Sequence, residues 1–146
     1  MVARPIHHRI FYAVCLMIVK VASVVWFRTR IRRNQRLEPK GGYILVGNHT
    51  SMLDPVWVGM VQRREVRFMA SAALFSIPFL GNLVRALGAF PKKKFVKDKA
   101  SVLSLVEMYE SGQVVALFPE GFRTWDGRTQ PVRPGIGRLI HGLDAR

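Results

Sequence analysis

Val46 to Pro55 reads VGNHTSMLDP and directly follows the apolar run Tyr43-Ile44-Leu45-Val46. A chain that leaves a buried strand and at once presents a histidine, with a carboxylate five positions on, puts polar chemistry at a strand end. On a continuous helix, five steps of about 100° would leave His49 and Asp54 about 140° apart, too far round to hydrogen-bond. Pro55 biases Asp54 away from the helical region, so a turn is expected before the helix, and such a turn can fold the carboxylate back onto the imidazole. A carboxylate in that position fixes the tautomer, stabilises the protonated ring and leaves the second ring nitrogen as a general base. The spacing fits equally well with Asp54 as the N-cap of a helix whose first residue is Pro55. His49 would then be a polar strand-end residue and Asn48 a turn residue.

A second strand end repeats the pattern. Val115-Ala116-Leu117-Phe118 runs into Pro119-Glu120-Gly121-Phe122-Arg123. Two strands that each deliver polar residues at their ends fit a crevice at the carboxyl edge of an α/β sheet. Read alone, Pro119-Glu120-Gly121 is only a turn, and Glu120 could simply pair with Arg123.

The rest of the chain alternates in type. Strands are predicted at Tyr43–Gly47, Val66–Ala70, Gly88–Phe90 and Val114–Phe118. Helices are predicted at Pro55–Val61, at Ala72–Leu87 with interruptions at Pro78 and Gly81, and from the Asp98 cap through Tyr109, where Gly112 ends the turn. A last helix begins near Gly135. This alternation predicts an α/β fold with a central mixed sheet flanked by helices. A helix begun so late would normally lead to another strand, so the chain reads as a piece of a longer protein.

The sequence has 146 residues, room for one compact domain, and a formal net charge of +14. The charge is clustered: residues 1–40 carry nine Lys or Arg against one acidic residue, and residues 92–100 carry five against one. Such clusters seek phosphate, on nucleic acid or on lipid head groups. Ile10 to Phe27 is nearly continuous apolar sequence, interrupted by Lys20 and Ser23. Arg4, His7, His8 and Arg9 precede it, and Arg28, Arg30, Arg32, Arg33 and Arg36 follow. A secretory signal fits poorly, because arginines follow the apolar run and no small-residue cleavage site appears. The pattern predicts a membrane helix, spanning or lying in the interface with Lys20 reaching out to the head groups. It disfavours nucleic acid as the phosphate source. Residues 1–40 are thus expected to form this helix and a linker, and residues 41–146 the domain. The lone Cys15 excludes an intrachain disulfide, and no thiol-ligand metal site is present.

Together these segments resemble the PlsC-like glycerolipid and lysophospholipid acyltransferases. The likeness rests on Asn48-His49, four residues and Asp54, with Phe118-Pro119-Glu120-Gly121 and Arg123 about seventy positions on. Between them, in family order, come Phe68-Met69-Ala70, Ile77-Pro78-Phe79-Leu80-Gly81 and Leu87-Gly88-Ala89-Phe90-Pro91; Arg133-Pro134-Gly135 resembles the start of the last block. The resemblance implies acyl transfer from a thioester, acyl-CoA or acyl-carrier protein, to the hydroxyl of a lysophospholipid, most plausibly 1-acylglycerol 3-phosphate. His49 would be the base and Asp54 its partner. Asn48, Phe118, Pro119, Glu120 and Gly121 would shape the acceptor site, and Arg123, Lys92, Lys93 and Lys94 would attract its phosphate. No metal or organic cofactor is called for. A membrane position on the cytoplasmic face follows from where thioester donors occur, which in a bacterium is the inner membrane.

Several positions depart from the family pattern. Ser71 and Ala73 stand where a lysine and a glutamate are common. Lys93-Lys94 replaces an aspartate–arginine pair, which keeps charge but loses a bidentate fork. Phe122 stands where Thr or Ser is usual, and a terminal strand with a Val-Pro motif is missing. These departures keep two alternatives in view. One is a different acceptor, such as glycerol 3-phosphate or a lyso-ornithine lipid; the other is a non-catalytic, membrane-associated lipid-binding remnant.

Overall fold

The computed structural model describes residues 6–30, 32, 39–93 and 98–143. In chain order the elements are α1 (Ile6–Phe27), β1 (Tyr43–Val46), α2 (Asp54–Val61), β2 (Val66–Ser71), α3 (Ala72–Phe75), α4 (Leu80–Ala86), β3 (Ala89–Lys92), α5 (Lys99–Glu110), β4 (Val114–Leu117) and α6 (Pro134–Gly142). From β1 onward the predicted elements are present within one or two residues, with one correction, and α1 begins four residues before the apolar run at Ile10. Gly81 does not interrupt a helix. It lies buried in the first turn of α4, where a Cβ would run into the Phe75 carbonyl, so glycine is what lets α4 close on α3.

The four strands form one sheet in the order β1-β4-β2-β3, and all three described pairings are parallel. The α/β architecture is as expected, but among the described residues the sheet is parallel rather than mixed. The reason is that every connection between its strands carries a helix, and a crossover of that length returns the chain in the same direction. The central strand β4 is Val-Val-Ala-Leu and is buried throughout, as a parallel strand covered on both faces should be.

Alternation along the strands splits the core in two. Tyr43, Val66, Phe68, Val114 and Ala116 make one face, with Leu45 and Val58 against them. Val115, Leu117 and Phe90 make the other, sealed by Leu105 and Met108 of α5 and Ile136 and Leu139 of α6. Strand period two assigns odd and even residues of each strand to opposite faces, which is why both layers of helices are needed.

α1 is 22 residues long, about 33 Å of helix, and by length and composition it could cross a membrane. It touches the domain along a narrow stripe. The buried Tyr12 hydroxyl accepts a hydrogen bond from the Val66 N–H at 3.4 Å, and Gly59 of α2 leaves room for Tyr12 and Leu16. Phe27 stands edge-on to Trp57, with ring centroids 6.4 Å apart. The linker expected to follow includes residues 31 and 33–38, which lie outside the described residues.

Asp98 caps α5 as predicted, its carboxylate accepting from the Ser101 N–H at 3.2 Å and hydroxyl at 2.6 Å and from the Lys93 N–H at 2.7 Å. The Ser101 hydroxyl bond, then the Lys93 and Ser101 amides, hold the carboxyl down at about 2 from an ordinary 3.8. A depressed folded-state value means the contribution is whole above about 4 and lost as pH falls through about 2. Urea unfolding of the wild type against Asp98→Asn should therefore show a gap that is constant from pH 7 to 5 and closes towards pH 2. A gap that widens in acid would contradict the capping geometry. Leu105, with no exposed surface, anchors α5 to the sheet, and Leu105→Ala should cost about 2–5 kcal/mol in the same measurement.

Candidate active site

The geometry of the site begins with the register of β1 on β4. Val46 is level with Leu117, and the Gly47 N–H donates to the Leu117 carbonyl at 3.2 Å, so both chains leave the sheet side by side at its carboxyl edge. The loop after β1 carries His49 and the loop after β4 carries Glu120, 71 residues later in sequence.

Asp54 is the first residue of α2, and its carboxylate points backward over the preceding turn. One oxygen, Oδ2, accepts from the Thr50 N–H at 2.7 Å, the Ser51 N–H at 2.7 Å and His49 Nδ1 at 2.8 Å. Asp54 is therefore not an N-cap in the usual sense, since α2 has no side-chain cap bond. An ionised carboxylate only accepts, so this contact assigns the Nδ1 proton to His49 and leaves Nε2 with its lone pair. The two backbone amides fix the carboxylate, and the carboxylate fixes the ring. The imidazole also stacks on Phe118, centroids 4.3 Å apart and planes 17° from parallel. Its side chain keeps 19% exposure while the Asp54 side chain keeps 10%, so the pair is sheltered but reachable.

Glu120 is buried and ties loops together rather than pairing with Arg123. Its Oε1 accepts from the His49 N–H at 3.0 Å and its Oε2 from the Gln130 N–H at 3.2 Å. The Thr124 N–H in turn donates to the His49 carbonyl at 2.8 Å. The backbone of His49 is thus held at both its donor and its acceptor by the loop after β4. Gly121 takes φ of +75°, closing a turn in which its N–H donates to the Phe118 carbonyl at 3.0 Å. Buried Pro119 presents its carbonyl to the Arg133 N–H at 2.9 Å.

Beside this core lies a cleft of about 490 Å³ lined by Glu120, Phe122, Arg123, Thr124, Trp125 and Arg133, among others. Arg123 is exposed on its wall, and Asn48 is exposed next to His49. The lysines are placed differently. Lys92 ends β3 and Lys93 donates its N–H to Asp98, on the strand farthest from β1. Three strand spacings put them about 14 Å across the same sheet edge, outside the cleft. Lys94 lies outside the described residues. Sequence reasoning did not single out Thr124 and Gln130, and it named Arg133 only as the start of a family block; their roles arise from contacts across loops and carry no periodic signal.

A family model described as Acyltransferase matches residues 28–145. The 1-acyl-sn-glycerol-3-phosphate acyltransferase of Bacillus subtilis is 22% identical over 114 residues, covering 77% of this chain and 57% of that protein. A chloroplastic 1-acyl-sn-glycerol-3-phosphate acyltransferase of Brassica napus is 30% identical over 95 residues, 63% of this chain and 27% of that one. The fold is similar to the crystal structure of the 1-acyl-sn-glycerophosphate acyltransferase PlsC from Thermotoga maritima, with a TM-score of 0.73 at 19% identity, over 99% of this chain and 58% of that one. The chain therefore spans little more than half the length of the longest-matching relatives. With most of its length inside the family match, and the strand-end histidine and carboxylate in hydrogen-bond contact, the chain belongs to the acyltransferase family.

Proposed function

We propose that this chain carries the reaction site of a lysophospholipid acyltransferase that esterifies 1-acylglycerol 3-phosphate to phosphatidic acid. The observation that carries the reading is the Asp54–His49 contact at 2.8 Å, with the carboxylate locked by two amides and Nε2 left as the basic nitrogen. Nε2 takes the proton of the acceptor hydroxyl while that oxygen attacks the thioester carbonyl of acyl-CoA or acyl-carrier protein. The tetrahedral intermediate collapses with loss of the thiolate, and the imidazolium returns the proton to sulfur. Asp54 stabilises the imidazolium throughout, as a buried carboxylate does in a catalytic triad. The acceptor hydroxyl is itself the nucleophile, so no acyl-enzyme forms. Asn48 and the loop from Phe118 to Arg123 border the acceptor.

The acceptor is an amphiphile, and α1 is the feature that meets it. Val25 and Trp26 are 66% and 78% exposed, and Arg28, Arg30 and Arg32 follow within two turns' length. An apolar helix ending in an aromatic and basic segment fits the interface of an anionic membrane. The site then faces the cytoplasm, where thioester donors are made.

Thiol release from acyl-CoA by membranes containing the chain, with and without lysophosphatidic acid, tests the reading. His49→Ala should lower acceptor-dependent release by about two to four orders of magnitude. Asp54→Asn should do nearly as much, about 10³–10⁴-fold, because the amide nitrogen donates to Nδ1 and drives the proton onto Nε2, removing the base. Wild-type turnover in either variant would sink the mechanism. Lysolipid binding without any turnover in the wild type would favour the non-catalytic lipid-binding reading.

A further inference from the structure

The turn that joins α3 to α4, Ser76-Ile77-Pro78-Phe79, takes no part in the chemistry at His49. Phe79 has φ of 60° and ψ of −50°, and the Leu80 N–H donates across it to the Pro78 carbonyl at 2.6 Å. This is a γ-turn of the rare, strained hand, which glycine enters freely and phenylalanine does not. The cause is local. Buried Gly81 lets α4 close on the Phe75 carbonyl, and Pro78 has its own φ fixed by its ring, so the reversal falls on Phe79. Packing within the fold does not offset the strain, because Phe79 is 90% exposed and Ile77 beside it 47% exposed.

A lone apolar residue on a surface is ordinary, whereas a contiguous apolar tip held out by a strained turn calls for an occupant. The surroundings say which. α4 packs against α1, the helix that by length and composition could enter a membrane and whose outer side is apolar and exposed. Leu83, one turn along α4 from Phe79, is exposed as well. From Val66 to Lys97 the sequence holds Arg67, Arg85 and four lysines and no acidic residue, so the charge around the tip suits an anionic surface. Among the described residues, the opposite, amino edge of the sheet exposes no large apolar side chain over residues 39–42, 62–65 and 111–113.

We infer that the turn between α3 and α4 is a second membrane contact: Phe79, with Ile77 beside it, enters the boundary between head groups and acyl chains of the bilayer that covers the outer side of α1. An aromatic ring on a basic segment is the residue type that settles at that depth. A single helix leaves the domain free to roll about the helix axis, and a second point of insertion on a packed neighbour removes that freedom. The orientation of the sheet edge that bears His49 is then set by the domain itself. The inference does not use the acyl-transfer reading, and its test contains neither donor nor acceptor, so failure of one leaves the other standing.

The full chain on vesicles of phosphatidylglycerol and phosphatidylethanolamine tests this, with a nitrobenzoxadiazole dye on one cysteine. In a Cys15→Ser background the dye is placed at Phe79→Cys, at Ile77→Cys or, as the control, at Glu110→Cys, an exposed position at the end of α5. At 79 and 77 the emission should shift to the blue on adding vesicles, and a lipid nitroxide near the head group should quench it several-fold more than aqueous iodide does. At 110 that order should reverse. In uncharged detergent, Phe79→Gly should keep or raise the urea midpoint, because the strain is relieved and little burial is lost. On vesicles at limiting lipid the same variant should be retained about tenfold less than the wild type. A vesicle-bound chain whose dye at 79 is as open to iodide as the dye at 110, or a wild type that binds no vesicles, would overturn the inference. A lower urea midpoint in Phe79→Gly would overturn it too, by showing that the ring is packed within the fold. So would a blue shift that needs no lipid and grows with protein concentration, which would assign the tip to a second copy of the chain.

Discussion

The parallel pairing of β1 with β4 is the constraint on which the site depends. It sets Val46 level with Leu117 and brings two loops, far apart in sequence, out of the sheet at the same height. A register slip of one residue would exchange the two faces of β1 and pull Tyr43 out of the core. It would also move His49 by about 3.3 Å along the strand axis, enough to break its contacts with Glu120 and Thr124. The apolar packing of the strands therefore fixes the position of a polar group that lies beyond their ends.

Two buried carboxylates then divide the remaining work. Asp54 organises its own turn, gathering two amides and the imidazole onto one oxygen, so the His49 ring is positioned by residues within five places of it. Glu120 acts over a long range, with one oxygen on the His49 amide and the other on Gln130. The first sets ring orientation and proton placement; the second sets where the whole turn sits. A buried carboxylate without partners would be costly, and here each is compensated by backbone N–H groups that would otherwise be unpaired at the loop. The His49 ring can be polar, sheltered and fixed because the backbone supplies the donors.

The local parts of this design are legible in the sequence. Apolar runs mark all four strands, Asp98 and Gly112 mark the ends of α5, and Pro55 marks the start of α2 near the observed residue. The His49–Asp54 spacing allows either a cap or a charge partner, and it takes the backward-pointing carboxylate to separate them. What cannot be read depends on contacts across the sheet edge. Nothing near Glu120 in sequence reveals that its partners are His49 and Gln130, and nothing near Gly81 reveals the Phe75 carbonyl against it. Charge, and nearness in sequence to Lys94 at the motif position, make Lys92 and Lys93 look like phosphate ligands beside the histidine. Strand order separates them from it, because β3 stands at the opposite side of the sheet from β1.

Under the proposed function, the placement of α1 links the site to an amphiphilic acceptor. Tyr12 and Leu16 secure the helix near Val66 and Gly59, and Phe27 meets Trp57 in the first turn of α2, beside the loop that bears His49. Most of its other apolar side chains are exposed, Met17, Ile18 and Val21 among them. Apolar surface left in water forgoes about 25 cal/mol for each Å², so this helix gains from a second solvent on its outer side. Under the proposed function that solvent is lipid, and the stripe of contacts through Tyr12 and Phe27 is what carries the membrane's position to the cleft. The end of α1 that meets Trp57 is also the end where Trp26 and the arginines collect, the residue types that settle at a head-group layer.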